Sequence, residues 1–116
     1  MQRITTEQLR EMLDAHERYL KDPKDGKELF LYNADLSGTD WHGAYAHYIT
    51  LINVKLRMAN MEGVEVQDSI FINVDFSVAN LYQADFENCK FEGCNFENAR
   101  TREAYFEGAE EEWTRS

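Results

Sequence analysis

The sequence predicts a repeat solenoid preceded by one N-terminal α-helix, and two observations carry the prediction. From Leu29 to Trp113 the chain repeats every five residues without an insertion. Before Leu29 this period is absent, and apolar residues recur at helical spacing instead. A period of five fits neither a helix, at 3.6 residues per turn, nor a strand, at two. Self-similarity at a fixed period is the signature of a repeat architecture.

The third place of each five-residue unit carries the apolar residue. Seventeen units follow one another from Leu29, and fifteen of their third places are apolar. The third places are Leu31, Leu36, Trp41, Ala46, Leu51, Leu56, Met61, Val66, Phe71, Phe76, Leu81, Phe86, Phe91, Phe96, Thr101, Phe106 and Glu111. The first place is small or β-branched, with Leu29 and Ile49 as bulky exceptions. One large and one small residue per unit suit a close-packed, narrow interior.

Four units show the pattern most clearly: ADLSG at 34–38, ANMEG at 59–63, ANLYQ at 79–83 and ADFEN at 84–88. They resemble the pentapeptide-repeat family, whose consensus is A-[DN]-L-x-x, and the resemblance covers about 85 of the 116 residues. It implies an all-β fold, a right-handed quadrilateral β-helix of about four coils with one unit per face. Residues 20 apart should therefore stack in columns, such as the third places Leu31, Leu51, Phe71 and Phe91.

Residues 1–28 are expected to form a helix and a connector. Thr5 followed by Gln8 has the spacing of a capping box. Pro23 and Gly26 predict that the helix ends near residue 21 or 22. An apolar stripe of helical spacing lies between, formed by Leu9, Met12, Leu13, His16, Tyr19 and Leu20.

This helix is expected to cap the solenoid. The first coil of a solenoid exposes an unpaired strand edge and an open apolar interior, which favour aggregation. A separate partner-binding helix is the alternative. The resulting division of the chain is a capping helix and connector at 1–28, a solenoid at 29–113 and a tail at 114–116.

The composition excludes several functional classes. A net charge of −10 and a pI near 4.6 argue against direct nucleic-acid binding, which needs a basic face. The sequence has no apolar run of ~20 residues and no lipidation signal, so no membrane association is expected. The two cysteines, Cys89 and Cys94, both occupy first places and are interpreted as buried free thiols, with a disulfide or a metal pair as alternatives. Reduced thiols fit a cytoplasmic protein, and the family resemblance suggests a bacterial or phage origin.

No catalytic, cofactor or metal site is predicted. His42 and His47 fall on outward places of two different faces, too far apart in the pattern to share a metal ion. The carboxylates also lie on outward places, where a thin solenoid offers no deep cleft that would raise a pKa. The chain is therefore not expected to be an enzyme.

Two faces of the predicted solenoid stand out. One carries apolar residues on its outward places, Phe30, Tyr32, Ile52, Ile70 and Ile72, and we call it the apolar face. Exposed apolar clusters mark contacts, so this face is either an interface or is covered by the helix or the 21–28 connector. The second carries Glu65, Asp68, Asp85, Glu87 and Glu107 without a Lys or Arg, and we call it the acidic face.

Two functions remain. The first is a non-catalytic protein-interaction or assembly module whose partner is another protein or a second copy. The second follows from the resemblance, because some pentapeptide-repeat proteins are acidic DNA mimics that bind a DNA-handling enzyme, DNA gyrase, and give quinolone resistance. Those members are typically about twice as long and dimerise through a C-terminal helix, a feature that this sequence lacks.

Overall fold

A computed structural model describes the backbone of residues 1–114 and the side chains of residues 1–109. In chain order the elements are β1 (Gln2–Arg3), α1 (Thr6–Lys21), a 3-10 turn (Pro23–Asp25), β2 (Phe30–Asp35), β3 (Thr50–Lys55), β4 (Ile70–Asp75), β5 (Lys90–Asn95) and β6 (Glu110–Thr114). The tail predicted at 114–116 lies, apart from Thr114, outside the described residues.

The strands stack in parallel, one per coil. They form a single sheet in chain order, from β1 to β6. Leu31 lies beside Leu51, Leu51 beside Phe71 and Phe71 beside Phe91, so each coil takes 20 residues. Isolated bridges repeat the same offset elsewhere, as between Asp40 and Asn60. The predicted all-β solenoid with one N-terminal helix is confirmed.

The backbone explains why the period is five. Every fifth residue from Asn33 to Gly108 has a positive φ, between 52° and 73°. Four such corners per 20-residue coil divide it into four faces. At most corners the first-place N–H of the next unit donates to the third-place carbonyl, as from Ala44 to Trp41 at 2.9 Å. A positive φ at the third residue of such a turn is the pattern of type II.

The second place of each unit has its own structural reason. Its Asp or Asn side chain accepts a hydrogen bond from the backbone N–H two residues later, which holds the chain in the turn. Seven second-place residues do this: Asp35, Asp40, Asn60, Asp75, Asn80, Asp85 and Asn95. The [DN] preference therefore serves the corner and not the core.

The core is an aromatic ladder on the third places. Phe71 stacks on Phe91 at 5.3 Å between ring centroids, and Phe76 stacks on Phe96 at 4.8 Å. Phe86 meets Phe76 edge to face at 5.9 Å. All five rings are buried. Columns of like residues, 20 apart in sequence, thus form a continuous interior across the coils.

The N-terminal segment packs against the first coil. The capping box of Thr5 and Gln8 is present, and α1 ends at Lys21, close to the predicted end. Of the predicted stripe, Leu9 and His16 are buried and the other four residues are partly buried. The sequence did not predict β1, which pairs with Ala34 and Asp35 at the edge of β2.

The ladder yields a stability prediction. Phe76→Ala or Phe86→Ala should each lower the free energy of unfolding by about 3–5 kcal/mol, because each leaves an aromatic-sized cavity. Urea denaturation followed by circular dichroism measures the loss. Tyr105→Ala, at an exposed aromatic, is the control and should change the value by about 0.5 kcal/mol or less. Equal effects at buried and exposed positions would contradict the ladder.

Candidate interaction faces

The apolar face is formed by two rows of side chains across β2 to β5. Phe30 pairs with Thr50, which pairs with Ile70. Tyr32, Ile52 and Ile72 form the second row in the same way. Strands are ~4.8 Å apart, so the five apolar residues make one continuous surface. In β5 the rows continue with Lys90 and Glu92, which bound the surface at that end.

The connector reaches this face without covering it. A cavity beside the helix is lined by Lys27, Glu28, Phe30 and Leu31, which places the connector at the edge of the first coil. The Phe30 side chain is nevertheless 54% exposed and Tyr32 is 65% exposed. In the described residues the apolar face is therefore open to solvent over its first coil.

Charge is distributed unevenly over the four faces. Across β2 to β4 the outward places of the apolar face carry no charge. The rows then continue with Lys90 and Glu92 in β5 and with Glu110 and Glu112 in β6. The acidic face carries five carboxylates without a Lys or Arg among its described residues, which is half of the net charge of −10.

The structure brings the acidic residues together. Glu65 and Asp85 are neighbours in a parallel bridge. The pKa of Glu87 is raised above its ordinary value, first by the charge of Asp85 and then by partial burial and by Glu107 and Asp68. Gln67 donates a hydrogen bond to the Asp85 carboxylate. The face is thus a coupled group of negative charges.

Two tyrosines that the sequence reasoning missed bracket this group. Tyr45 pairs with Glu65, and Tyr105 pairs with Asp85, so the column runs aromatic, acidic, acidic, aromatic. Both tyrosines are exposed. Both occupy second places of the same face, so a column-by-column reading of outward places would have found them.

Comparison with known families settles the classification. The family model described as pentapeptide repeats matches residues 31–68 and 59–98, with eight copies in all. The chain belongs to the pentapeptide-repeat family. No curated protein sequence matches it.

Two solved pentapeptide-repeat structures are similar to this chain. HetL from the cyanobacterium Nostoc, a protein involved in the regulation of heterocyst differentiation, is 27% identical with a TM-score of 0.67, over 69% of this chain and 37% of HetL. A protein of the Arabidopsis thaliana thylakoid lumen is 22% identical with a TM-score of 0.50, over 72% of this chain and 61% of that protein. The chain therefore spans less than two thirds of the length of either protein.

The first-place cysteines of this pentapeptide-repeat chain are free and buried. The Cys89 thiol donates to the Val66 carbonyl at 2.9 Å, and the Cys94 thiol donates to the Phe71 carbonyl at 3.3 Å. Burial raises the pKa of Cys89 to about 12 and that of Cys94 to about 11. Both thiols therefore remain protonated and unreactive at neutral pH. The prediction of buried free thiols is confirmed, and Cys89 and Cys94 do not form a disulfide.

The described residues hold no group of three His, Cys, Asp or Glu side chains placed to bind a metal ion. His42 is exposed, whereas His47 is buried beside Tyr45, at 4.3 Å between ring centroids. Across the described part of the chain, no helix has both the length and the apolar character that a membrane span requires.

The acidic face yields a prediction about pH and salt. A carboxyl whose pKa is higher in the folded chain favours the fold below its unfolded pKa and loses that contribution as pH rises through the folded value. Glu87 therefore destabilises the fold at pH 7, and Glu87→Gln should raise the melting temperature in low salt. The gain should shrink in about 1 M NaCl, where the Debye length is about 3 Å, and again as the pH falls below 4.

Glu97→Gln is a matched control for that experiment, because Glu97 lies in the unit CNFEN and Glu87 in ADFEN. Both residues occupy fourth places, but Glu97 follows Asn95 where Glu87 follows Asp85. Thermal denaturation of both variants at two salt concentrations makes the comparison. An equal gain at both positions would show that the acidic face has no special electrostatic cost.

Proposed function

We propose that this chain is a non-catalytic protein-interaction module that assembles with a second copy of itself through the apolar face. The observation that carries the proposal is the exposure of Phe30 and Tyr32 on an apolar surface of the sheet, in a molecule with a net charge of −10. Exposed apolar patches of this kind mark interfaces, and a regular hydrogen-bonded sheet is pre-organised for contact.

The occupant that we propose for the apolar face is a second copy of the chain. Two molecules that each carry a charge of −10 repel each other at most orientations. Across β2 to β4 the outward places of the apolar face carry no charge, so contact there brings no like charges together. A twofold-symmetric dimer uses the same patch twice, so one apolar patch is sufficient. Paired patches would bury Phe30 and Tyr32 of both molecules.

Two double variants test this proposal. Ile52→Glu with Ile72→Glu places two carboxylates in the apolar face, and the wild-type dimer should become a monomer in light scattering. Met58→Glu with Val78→Glu is the control, because both residues are exposed on another face and the added charge is the same. The control should remain dimeric, and circular dichroism should show the solenoid intact in both.

A wild-type chain that is monomeric at about 1 mM would contradict self-association. A protein captured from the source cell by the wild type and the control, but not by the apolar-face variant, would then assign the face to a different partner. Equal behaviour of both double variants would remove the apolar face from any role in binding.

A second candidate function is mimicry of DNA by the acidic face. The observation in its favour is that five carboxylates form a coupled group, with the pKa of Glu87 raised by its neighbours. Such a surface complements the basic groove of a DNA-handling enzyme such as DNA gyrase. A supercoiling assay tests it: inhibition that Asp85→Asn with Glu87→Gln abolishes would support mimicry, and no inhibition at micromolar protein would exclude gyrase.

A further inference from the structure

His16 is the point at which three segments of the chain meet. It lies in α1 and is buried. Its Nδ1 accepts a hydrogen bond from the backbone N–H of Leu29, at the end of the connector, at 2.9 Å. Its Nε2 lies 2.6 Å from the backbone carbonyl of His47, in the first coil of the solenoid. One imidazole thus links the helix, the connector and the coil.

These partners determine the protonation state of the ring. A backbone N–H can only donate, so Nδ1 of His16 must be an unprotonated acceptor. A carbonyl oxygen can only accept, so Nε2 must carry the hydrogen. The ring is therefore neutral and in a single tautomer. A second proton would bring an N–H of the ring against the N–H of Leu29 in a buried place, where an unpaired polar group is costly.

The groups around His16 offer the added charge no partner. Tyr19, on the same helix, stacks on the ring at 6.0 Å between centroids. On the connector, Lys27 and Glu28 precede Leu29 and are exposed. On the first coil the contact is the backbone carbonyl of His47. The side-chain ring of His47 packs against Tyr45. The described hydrogen bonds of the His16 side chain include no carboxylate.

Glu17 and Lys21 line a cavity beside His47 but are 3.7 Å from each other, which leaves them paired on the helix. Two further ion pairs, Arg3–Asp35 and Arg10–Asp40, join the N-terminal segment to the first coil at exposed positions. The pKa of Asp35 is lowered, chiefly by hydrogen bonds from Ser37. That carboxylate therefore stays charged near neutral pH and adds no pH dependence there.

The helix and connector behave as one body. The Lys27 N–H donates to the Ala15 carbonyl at 3.1 Å. A Cβ at Gly26 would lie 2.3 Å from that same carbonyl oxygen and 2.3 Å from the Tyr19 nitrogen, so the connector touches the helix backbone directly. The contact of His16 with His47 is therefore one of the bonds that hold this unit to the first coil. The others include the bond from the Ile4 N–H to the Asp35 carbonyl and the bond from the Asp40 N–H to the Thr6 hydroxyl.

We propose that His16 is an acid-sensitive latch, which holds the N-terminal segment closed over the first coil while neutral and releases it when protonated. Imidazole is the side chain that gains a proton in mildly acidic solution, and Nδ1 of His16 can take one only when its hydrogen bond from Leu29 is broken. Opening separates β1 from Ala34 and Asp35 and exposes an unpaired strand edge. Acidic solution would thereby expose the edge of the first coil.

Amide hydrogen exchange on the intact chain tests the latch, with the Leu29 amide as reporter. After correction for the intrinsic rate, its protection should fall about tenfold per pH unit between pH 6 and 5, because opening takes up one proton. At pH 7 the ¹⁵N spectrum of the imidazole should show the neutral ring with hydrogen on Nε2. Protection that is equal at pH 7 and pH 5, or a ring that is charged while Leu29 stays protected, would overturn the proposal.

Three variants separate His16 from the other histidines. His16→Gln should lower Leu29 protection at pH 7 and make it independent of pH. His47→Gln should keep the tenfold slope, because only the backbone carbonyl of residue 47 holds the ring. His42→Gln, at an exposed position, should also behave as wild type. A pH slope that disappears in His47→Gln and persists in His16→Gln would show that His47, and not His16, responds to acid, and would overturn the proposal. If His16→Gln does not fold, the wild-type exchange and ¹⁵N measurements decide alone.

Discussion

The left-handed corner at every fifth residue is the constraint on which the rest of this structure depends. It turns the chain four times in 20 residues, so that each residue returns to a position beside its counterpart one coil earlier. Eleven of the sixteen corners are not glycine, although an L-residue in this region costs roughly 1–2 kcal/mol. The Asx hydrogen bonds of the second places and the buried third places offset that cost. The backbone conformation of each corner is thus stabilised by the stacking of the coils.

The same constraint shapes the surface. Because side chains 20 residues apart stack in columns, similar residues at that spacing in the sequence form a continuous patch on the surface. Phe30, Ile52 and Ile70 combine in this way into the apolar face. Glu65 and Asp85 combine into an acidic face that holds half of the net charge with three other carboxylates. The solenoid therefore places the apolar surface and the acidic surface on different faces.

The third-place periodicity was sufficient to predict the solenoid and the inward ladder of Phe71 and its neighbours, and the helical spacing of apolar residues after Thr5 was sufficient to predict the N-terminal helix. It did not predict the corners, because residues as different as Val78 and Asn53 occupy the same fifth place. Nor did it predict β1, whose two residues form no pattern. His16 was assigned to the apolar stripe correctly, but its two hydrogen-bond partners lie 13 and 31 residues away. Contacts of that kind depend on how segments cross, which periodicity does not contain.

The free energy of unfolding of Val78→Gly tests the corner most directly. Val78 has a φ of 58° and is 41% exposed, so a β-branched residue occupies a left-handed corner with few contacts to lose. Glycine normally destabilises a folded chain by roughly 0.5–1 kcal/mol relative to alanine. At residue 78, however, glycine removes the steric cost of a positive φ. We expect urea denaturation to show that Val78→Gly is more stable than the wild type by about 1 kcal/mol. A variant that is less stable than the wild type would mean that residue 78 is not in a left-handed corner, and would contradict this account of the repeat.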